Sequence, residues 1–471
     1  MVVHRGAQRR AGMNHLPHDP LLPALPQALD GAAMADTWST ALAGGPWRVA
    51  RCDVERVKYR PLRNLSVCYR LTLGDAAGGR HLTQRVAARF CHGGAAADRA
   101  ARALRRPPGR APMATTAGPA VTHHVGLDMV AHWWPFDPRL PAARLLADGT
   151  LARDWLPALL ADAGEQARCL HHRIDVVQVV PEHRMTLRAD VLLQDGRRRL
   201  FYAKADAECR GPRTQAVMQA LWDAPARQAG RLHVPQPLGW QAGSGLHWQA
   251  GIAGTPLLDL EDPVTAAGAG AAGEGLAALH GVATPAAPLD ADQLAARLAE
   301  VVQTLGMVVP QERPRLQALA QDLAALPATL RSPVTLHGDL HPRNLLRDDA
   351  GRLHLIDLDS ARNGPAALDL GAWAADALYR ALLAGQAPGQ ALAAVHAFVD
   401  AYARVGGTRP DARTLARATA WQLLCQRAWR CAINLKPGRF ALVSPLLGLA
   451  TALSTQGHVD AAADLPSSEA A

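Results

Sequence analysis

His337-Gly338-Asp339-Leu340-His341-Pro342-Arg343-Asn344, followed by Ile356-Asp357-Leu358-Asp359, is the stretch from which the fold of this chain is read. Ahead of it, Pro333-Val334-Thr335-Leu336 is apolar and β-leaning, so Asp339 sits just past a strand end, and Pro342 stops the segment from continuing as a helix. Asn344-Leu345-Leu346-Arg347 and Leu353-His354-Leu355-Ile356 read as two short strands around the polar turn Asp348-Asp349-Ala350-Gly351. An Asp on a loop can take a proton from a hydroxyl, and an Asn and an Asp at the mouth of a hairpin can hold a divalent cation. His337 and His341 are spaced as zinc ligands on a helix would be. Gly338, Pro342 and the missing Glu of H-E-x-x-H argue against that use.

The same residues align without a gap on the protein-kinase signature H-R-D-L-x-x-x-N, with Gly338 in the Arg position. In the form H-G-D-x-x-x-x-N followed by I-D-x-D, the segment resembles the aminoglycoside phosphotransferase and choline kinase-like family, the small-molecule relatives of protein kinases. The resemblance implies that Asp339 is the catalytic base, that Asn344 and Asp357 bind Mg²⁺, and that ATP is the phosphate donor. Asp369, in Ala367-Leu368-Asp369-Leu370-Gly371, matches the family's later Asp, which braces the catalytic loop. It also implies an α+β, bilobal protein kinase-like fold, with a β-rich N-lobe and a mostly helical C-lobe. No A-P-E follows Asp357 and no activation segment is recognisable, which disfavours a protein kinase.

Working outward, two segments look like copies of each other. Pro61 to Asp75 (PLRNLSVCYRLTLGD) and Pro181 to Asp195 (PEHRMTLRADVLLQD) match at an offset of 120, and each is followed by another strand, Gln84–Phe90 and Leu200–Ala205. An antiparallel hairpin leading to a strand that carries a basic residue is how a kinase N-lobe begins, its third strand bearing the phosphate-binding Lys. Two N-lobe-like sheets in tandem are therefore expected. Lys204 in the second is the nucleotide candidate, and Arg89 takes its place in the first, an extra N-terminal N-lobe-like β domain. By the resemblance, Leu246-His247-Trp248-Gln249-Ala250-Gly251 leads into the hinge at Ile252–Leu257 against which adenine lies, so Gln249 and Gly251 join the nucleotide-binding set. The chain lacks a G-x-G-x-x-G over the phosphates. On the predicted helix after Lys204, Gln215 stands where a Glu partner for the ammonium is expected.

The expected organisation is a disordered or loosely packed segment 1–44, a degenerate N-lobe-like domain 45–164, a kinase N-lobe 165–255, a helical C-lobe 256–458 and a disordered tail 459–471. Helices are predicted over 290–305, 312–330, 370–384, 388–405, 412–435 and 442–455, with Trp421, Leu424, Ala428 and Ile433 on one inward face.

The bulk numbers suit an enzyme of this kind. A composition 49% hydrophobic and 19% charged is that of a globular protein, and a net charge of +9, spread along the chain without interleaved aromatics, disfavours nucleic acid. Seven scattered cysteines without a C-x-x-C pair, no signal peptide and no membrane-spanning run point to the cytoplasm. Residues 401–440 carry seven Arg and one Lys against Asp411 alone. A polycationic aminoglycoside needs an acidic pocket, so a sugar, a polyol or another small alcohol fits better, with Arg427 and Arg430 as the first acceptor-side residues to test. The alternative expectation is a catalytically inactive, kinase-like nucleotide-binding regulatory protein. Composition is silent on oligomeric state.

Overall fold

The computed structural model of the protein describes residues 16–75, 78–105, 117–324, 326 and 333–465. Two antiparallel five-stranded sheets follow one another. In the first, β1 (Trp47–Arg60), β2 (Asn64–Asp75), β3 (His81–Phe90), β4 (Val121–His124) and β5 (Met129–Trp133) pair in the order β1-β2-β3-β5-β4. In the second, β6 (Cys169–Val180), β7 (Arg184–Leu193), β8 (Arg198–Asp206), β9 (Pro237–Gln241) and β10 (Leu246–Ala250) pair as β6-β7-β8-β10-β9. The strand order is the same, and each long opening hairpin carries two register shifts, which bend it over its own sheet.

Residues 16–44 are not loose. Pro26 stands at the opening of a helical turn, Leu25–Leu29, where its missing N–H costs nothing. Asp30 then caps α1 (Gly31–Ala41), accepting from the Ala32 N–H at 2.8 Å. Met34 and Trp38 are fully buried, the indole edge-on to Tyr69 and Trp133 at 5.4 and 5.8 Å between ring centroids. The apolar residues here are few and separated by Ala, Gly and Pro, so no period shows along the chain; their partners lie on a sheet formed later in sequence.

The same holds one copy later. Leu140, Leu151, Leu156, Leu159 and Leu160, expected in the first domain, pack on the second sheet against Met185, Leu187 and Phe201, with α3 (Leu156–Asp162) among them. The boundary therefore falls soon after Trp133 rather than at 164. Asp19-Pro20-Leu21-Leu22-Pro23-Ala24 and Asp137-Pro138-Arg139-Leu140-Pro141-Ala142 open the two units. Each Asp is buried and holds the tip of its unit's first hairpin, Asp19 accepting from the Leu62 N–H and Asp137 from the Glu182 N–H, both at 2.8 Å. Leu62 and Glu182 share a left-handed backbone, φ 55° and 57°.

After β3 and β8 come α2 (Ala95–Arg105) and α4 (Gly211–Asp223). The rest is mostly helical: α5 (Ala266–His280), α6 (Ala291–Val308), α7 (Arg313–Ala324), α8 (Ala367–Leu383), α9 (Leu392–Arg404), α10 (Ala412–Gln422), α11 (Trp429–Asn434) and α12 (Val443–Gln456). A π-helical segment, Leu423–Ala428, joins α10 to α11, and Trp421, Leu424, Ala428 and Ile433 are buried as their spacing predicted. Between these helices lie β11 (Thr255–Pro256), β13 (Leu345–Arg347) and β14 (Leu353–Leu355) in one small sheet, and β12 (Pro333–Leu336) paired with β15 (Arg362–Pro365).

Leu276, Leu340, Leu355, Trp373 and Phe398 form the core beneath that sheet. A second core is continuous from Leu65, Val67 and Tyr69 of the first sheet to Leu298 and Val301 on α6 and Leu446 and Leu449 on α12. The expected disordered tail is also partly built: Val459–Asp464 is a 3₁₀ segment with Val459, Ala461 and Ala462 buried, small residues whose packing no period announces. Residues 1–15 and 466–471, read as loose, and the end of the 312–330 helix lie outside the described residues. No helix among the described residues is long and apolar enough to cross a membrane.

Candidate active site

β12 delivers the chain to His337, and the loop that follows is fixed by backbone hydrogen bonds. Asp369, in the first turn of α8, accepts from the His337 N–H at 2.6 Å through Oδ2 and from the Gly338 N–H at 3.0 Å through Oδ1. Burial raises the Asp369 pKa, but its bond to His280, the His280 charge and His337 more than offset that and hold it below the usual range. His280 lies between Asp369 (3.2 Å) and the Tyr402 hydroxyl (3.0 Å), so it braces the brace. His337 Nε2 donates to the Ile356 carbonyl at 2.9 Å, which leaves Nδ1 to accept the Asp339 N–H at 3.4 Å. Gly338 has φ 79°, and a Cβ there would stand 2.2 Å from the Ser360 carbonyl oxygen. No other residue fits, which accounts for Gly at this position.

Asp339 projects its carboxylate toward α11. Arg430 Nη2 is 3.2 Å from Oδ1, and His341 Nε2 is 3.9 Å from Oδ2. Burial favours the protonated acid, yet Arg430, His341 and Arg427 prevail and the pKa lies below its ordinary value. Arg427 itself is ion-paired to buried Asp376 at 3.0 Å, so of the two arginines singled out from sequence only Arg430 touches Asp339.

Asn344 and Asp357 flank the β13–β14 hairpin, joined by the Ile356 N–H bond to the Asn344 carbonyl at 3.0 Å. The Asn344 amide donates to the Asp339 carbonyl at 2.9 Å, which aligns the Asp339 loop and the hairpin. Asp357 is left-handed, φ 64° and ψ 51°, a conformation costly for a non-glycine residue and one that turns its side chain into the cleft. Opposite, on β8, Lys204 Nζ lies 2.6 Å from Asp357 and 3.0 Å from Asp359. Burial lowers the ammonium pKa, but the two carboxylates reverse this and raise it. Burial likewise works against the Asp357 charge, and Lys204 overcomes it, holding that carboxylate down; Asp359, half-buried beside Asp357, is pushed up.

Gln215, expected to face Lys204 from α4, instead accepts from the Gly239 N–H at 3.3 Å. The ammonium's partners come from across the cleft.

Gln178, Arg184, Thr186, His247 and Arg210 line this cleft with Lys204, Asp357 and Asp359. Gln249 and Gly251 are not among the lining residues: they stand further along β10 and just past its end, toward the hinge, with Gly251 needed because a Cβ would meet the Leu200 side chain at 2.3 Å. His247 and Arg184 were missed from sequence. Pairing puts His247 opposite Lys204, a relation legible once β8 and β10 are aligned. Both its ring nitrogens are buried without a hydrogen-bond partner among the described residues, and burial, helped by Lys204, takes its pKa down to about 4.

A β-rich lobe carrying a cleft lysine, facing a helical lobe with a braced Asp loop and an Asn/Asp hairpin, defines the protein kinase-like class. Residues 175–407 match the model of the phosphotransferase enzyme family, which the chain resembles over that span. No curated protein matches the sequence. Among solved structures the chain is similar to a choline/ethanolamine kinase family protein from Mesorhizobium loti, with TM-score 0.44, 16% identity, and 62% of this chain and 92% of that one covered. It is also similar to a macrolide 2'-phosphotransferase from Brachybacterium faecium (TM-score 0.40, 19% identity, 66% and 99% covered). A third is an aminoglycoside phosphotransferase from Alicyclobacillus acidocaldarius (TM-score 0.39, 16% identity, 57% and 89% covered).

Proposed function

We propose that the protein transfers the γ-phosphate of ATP to a hydroxyl of a small molecule, a sugar, polyol or other small alcohol, with Asp339 as the base. The observation that carries this reading is that Lys204 of the sheet meets Asp357 in a cleft, while the hairpin that bears Asp357 and Asn344 is tied to the Asp339 loop through the Asn344 amide.

The residues fit a magnesium ion. The Asn344 amide nitrogen is committed to the Asp339 carbonyl, its Oδ1 accepts no hydrogen bond among the described residues, and the Asp357 carboxylate is ionised. Among the described residues no three His, Cys, Asp or Glu side chains converge, so most ligands would come from phosphates and water, the usual habit of Mg²⁺. When bound, the ion neutralises charge on the transferred phosphoryl group. Lys204 then orients the phosphates, and Asp339 accepts the acceptor's hydroxyl proton as that oxygen bonds to phosphorus.

Arg430 beside Asp339 favours a neutral or anionic acceptor over a polycation. All seven cysteines are free, which suits the cytoplasm as its compartment. ADP release measured against a panel of sugars and small alcohols tests the reading. Asp339→Asn should lower turnover about 10²–10⁴-fold while ATP still binds. Near-normal turnover in that variant would remove Asp339 from the mechanism, and ATP binding by the natural protein without ADP release against any acceptor would favour a regulatory module.

A further inference from the structure

The row of residues that faces the cleft in the second sheet has a counterpart in the first. Across the second sheet the ladder runs Gln178, Thr186, Lys204, His247, and all four line the nucleotide cleft. Across the first, at the same ladder positions, it runs Lys58, Ser66, Arg89, Val130. Arg89 thus stands opposite Ser66 as Lys204 stands opposite Thr186. What lies against Arg89 is protein: its Nη2 is 3.0 Å from the Glu182 carboxylate, at the tip of the β6–β7 turn, with side-chain exposures of 22% and 21%.

Glu182 is held twice over. Its N–H donates to Asp137 of its own unit, its carboxylate pairs with the other unit, and between them they fix a left-handed residue. The equivalent tip in the first unit, Leu62, has the Asp19 bond but presents an exposed side chain. Two residues past Glu182 comes Arg184, at the start of β7, which lines the cleft beside Lys204 and Asp357. The turn Pro181-Glu182-His183 contains no glycine, so its left-handed residue carries strain, and the ion pair adds a second anchor to the Asp137 bond that such a turn already has.

We propose that the first sheet is a degenerate nucleotide lobe whose former cleft face now grips the β6–β7 turn through Arg89 and Glu182, and so positions Arg184 over the phosphates of bound nucleotide. The inference rests on the cleft being a nucleotide site, as argued above, but not on the acceptor or on Asp339. Arg89 is a positioning residue: it does not line the cleft.

The test is charge exchange, read by affinity for a fluorescent ATP analogue with Mg²⁺ in the full chain. Arg89→Glu and Glu182→Arg should each weaken binding by about tenfold, and the double variant should recover most of the loss, whereas Arg89→Lys should bind nearly as well as the natural chain. A residue that merely supports the fold would lower the melting temperature without recovery of affinity in the exchange. Single variants that bind normally, or a double variant as weak as either single, overturn the clamp. Should Arg89→Glu not fold, Arg89→Met gives the same reading, with hydrogen exchange at residues 181–184 rising if the clamp exists and unchanged if it does not. An unaltered chain that binds no nucleotide defeats clamp and cleft together. Nucleotide binding with Asp339→Asn fully active defeats only the catalytic assignment.

Discussion

A carboxylate next to a guanidinium is a weaker base than one left alone, and Arg430 therefore trades basicity at Asp339 for ionisation over a wider pH range. Removing it should show the exchange. Arg430→Gln is expected to move the acid limb of the kcat/KM profile to higher pH, because Asp339 would then protonate more readily; a limb that stays in place, measured with any accepted alcohol, would mean that Arg430 does not govern this base. At this scale the sequence was informative where chemistry demands contiguous residues. His337 to Asn344 and Asp357 read directly, because one loop and one hairpin carry them. Arg184 and His247 did not, since each acquires its meaning only from a strand partner far away in sequence. Arg430 was singled out together with Arg427 from a charge excess, and nothing local told which of the two meets Asp339.

Among elements, the helices were legible from their apolar period and the hairpins from their turns, and the exceptions share a cause. α1 carries only Met34 and Trp38 as large buried side chains, so it has little amphipathic signature and takes its stability from the sheet beneath. Trp38→Ala should cost about 3–5 kcal/mol, measured as a shift in the urea midpoint, through loss of the ring contacts with Tyr69 and Trp133. A change below about 1 kcal/mol would show that the helix is not anchored there. The repeated Asp-Pro-x-Leu-Pro-Ala at Asp19 and Asp137 is the signal in the sequence that both units begin with this helical layer, a short one without period or strand character.

Over the whole molecule, two histidines make stability depend on pH. Burial carries both His247 and His341 down to about 4, so between that value and 6.5 the unfolded chain binds protons that the folded chain refuses. Stability is then full above about 6.5 and declines as the pH falls toward 4, by up to about 3 kcal/mol for each group. Urea midpoints at pH 7 and pH 4.5 give the slope, and His247→Gln should make it shallower; an equal slope in that variant would show that His247 titrates normally. The bilobal plan itself was readable from the motif and the repeat. How the lobes join was not, because that depends on three-dimensional shape.

The core shared by Leu65, Val67 and Tyr69 with Leu298 on α6 and Leu446 on α12 has a consequence for how such a chain can change over generations. The first unit cannot be shed as an accessory. Without it the helical lobe would present a broad apolar flank to water, a surface prone to self-association. A sheet that repeats the strand order of the cleft sheet thus serves as part of the exterior wall, and its loss would expose that flank whatever happens to the chemistry in the cleft.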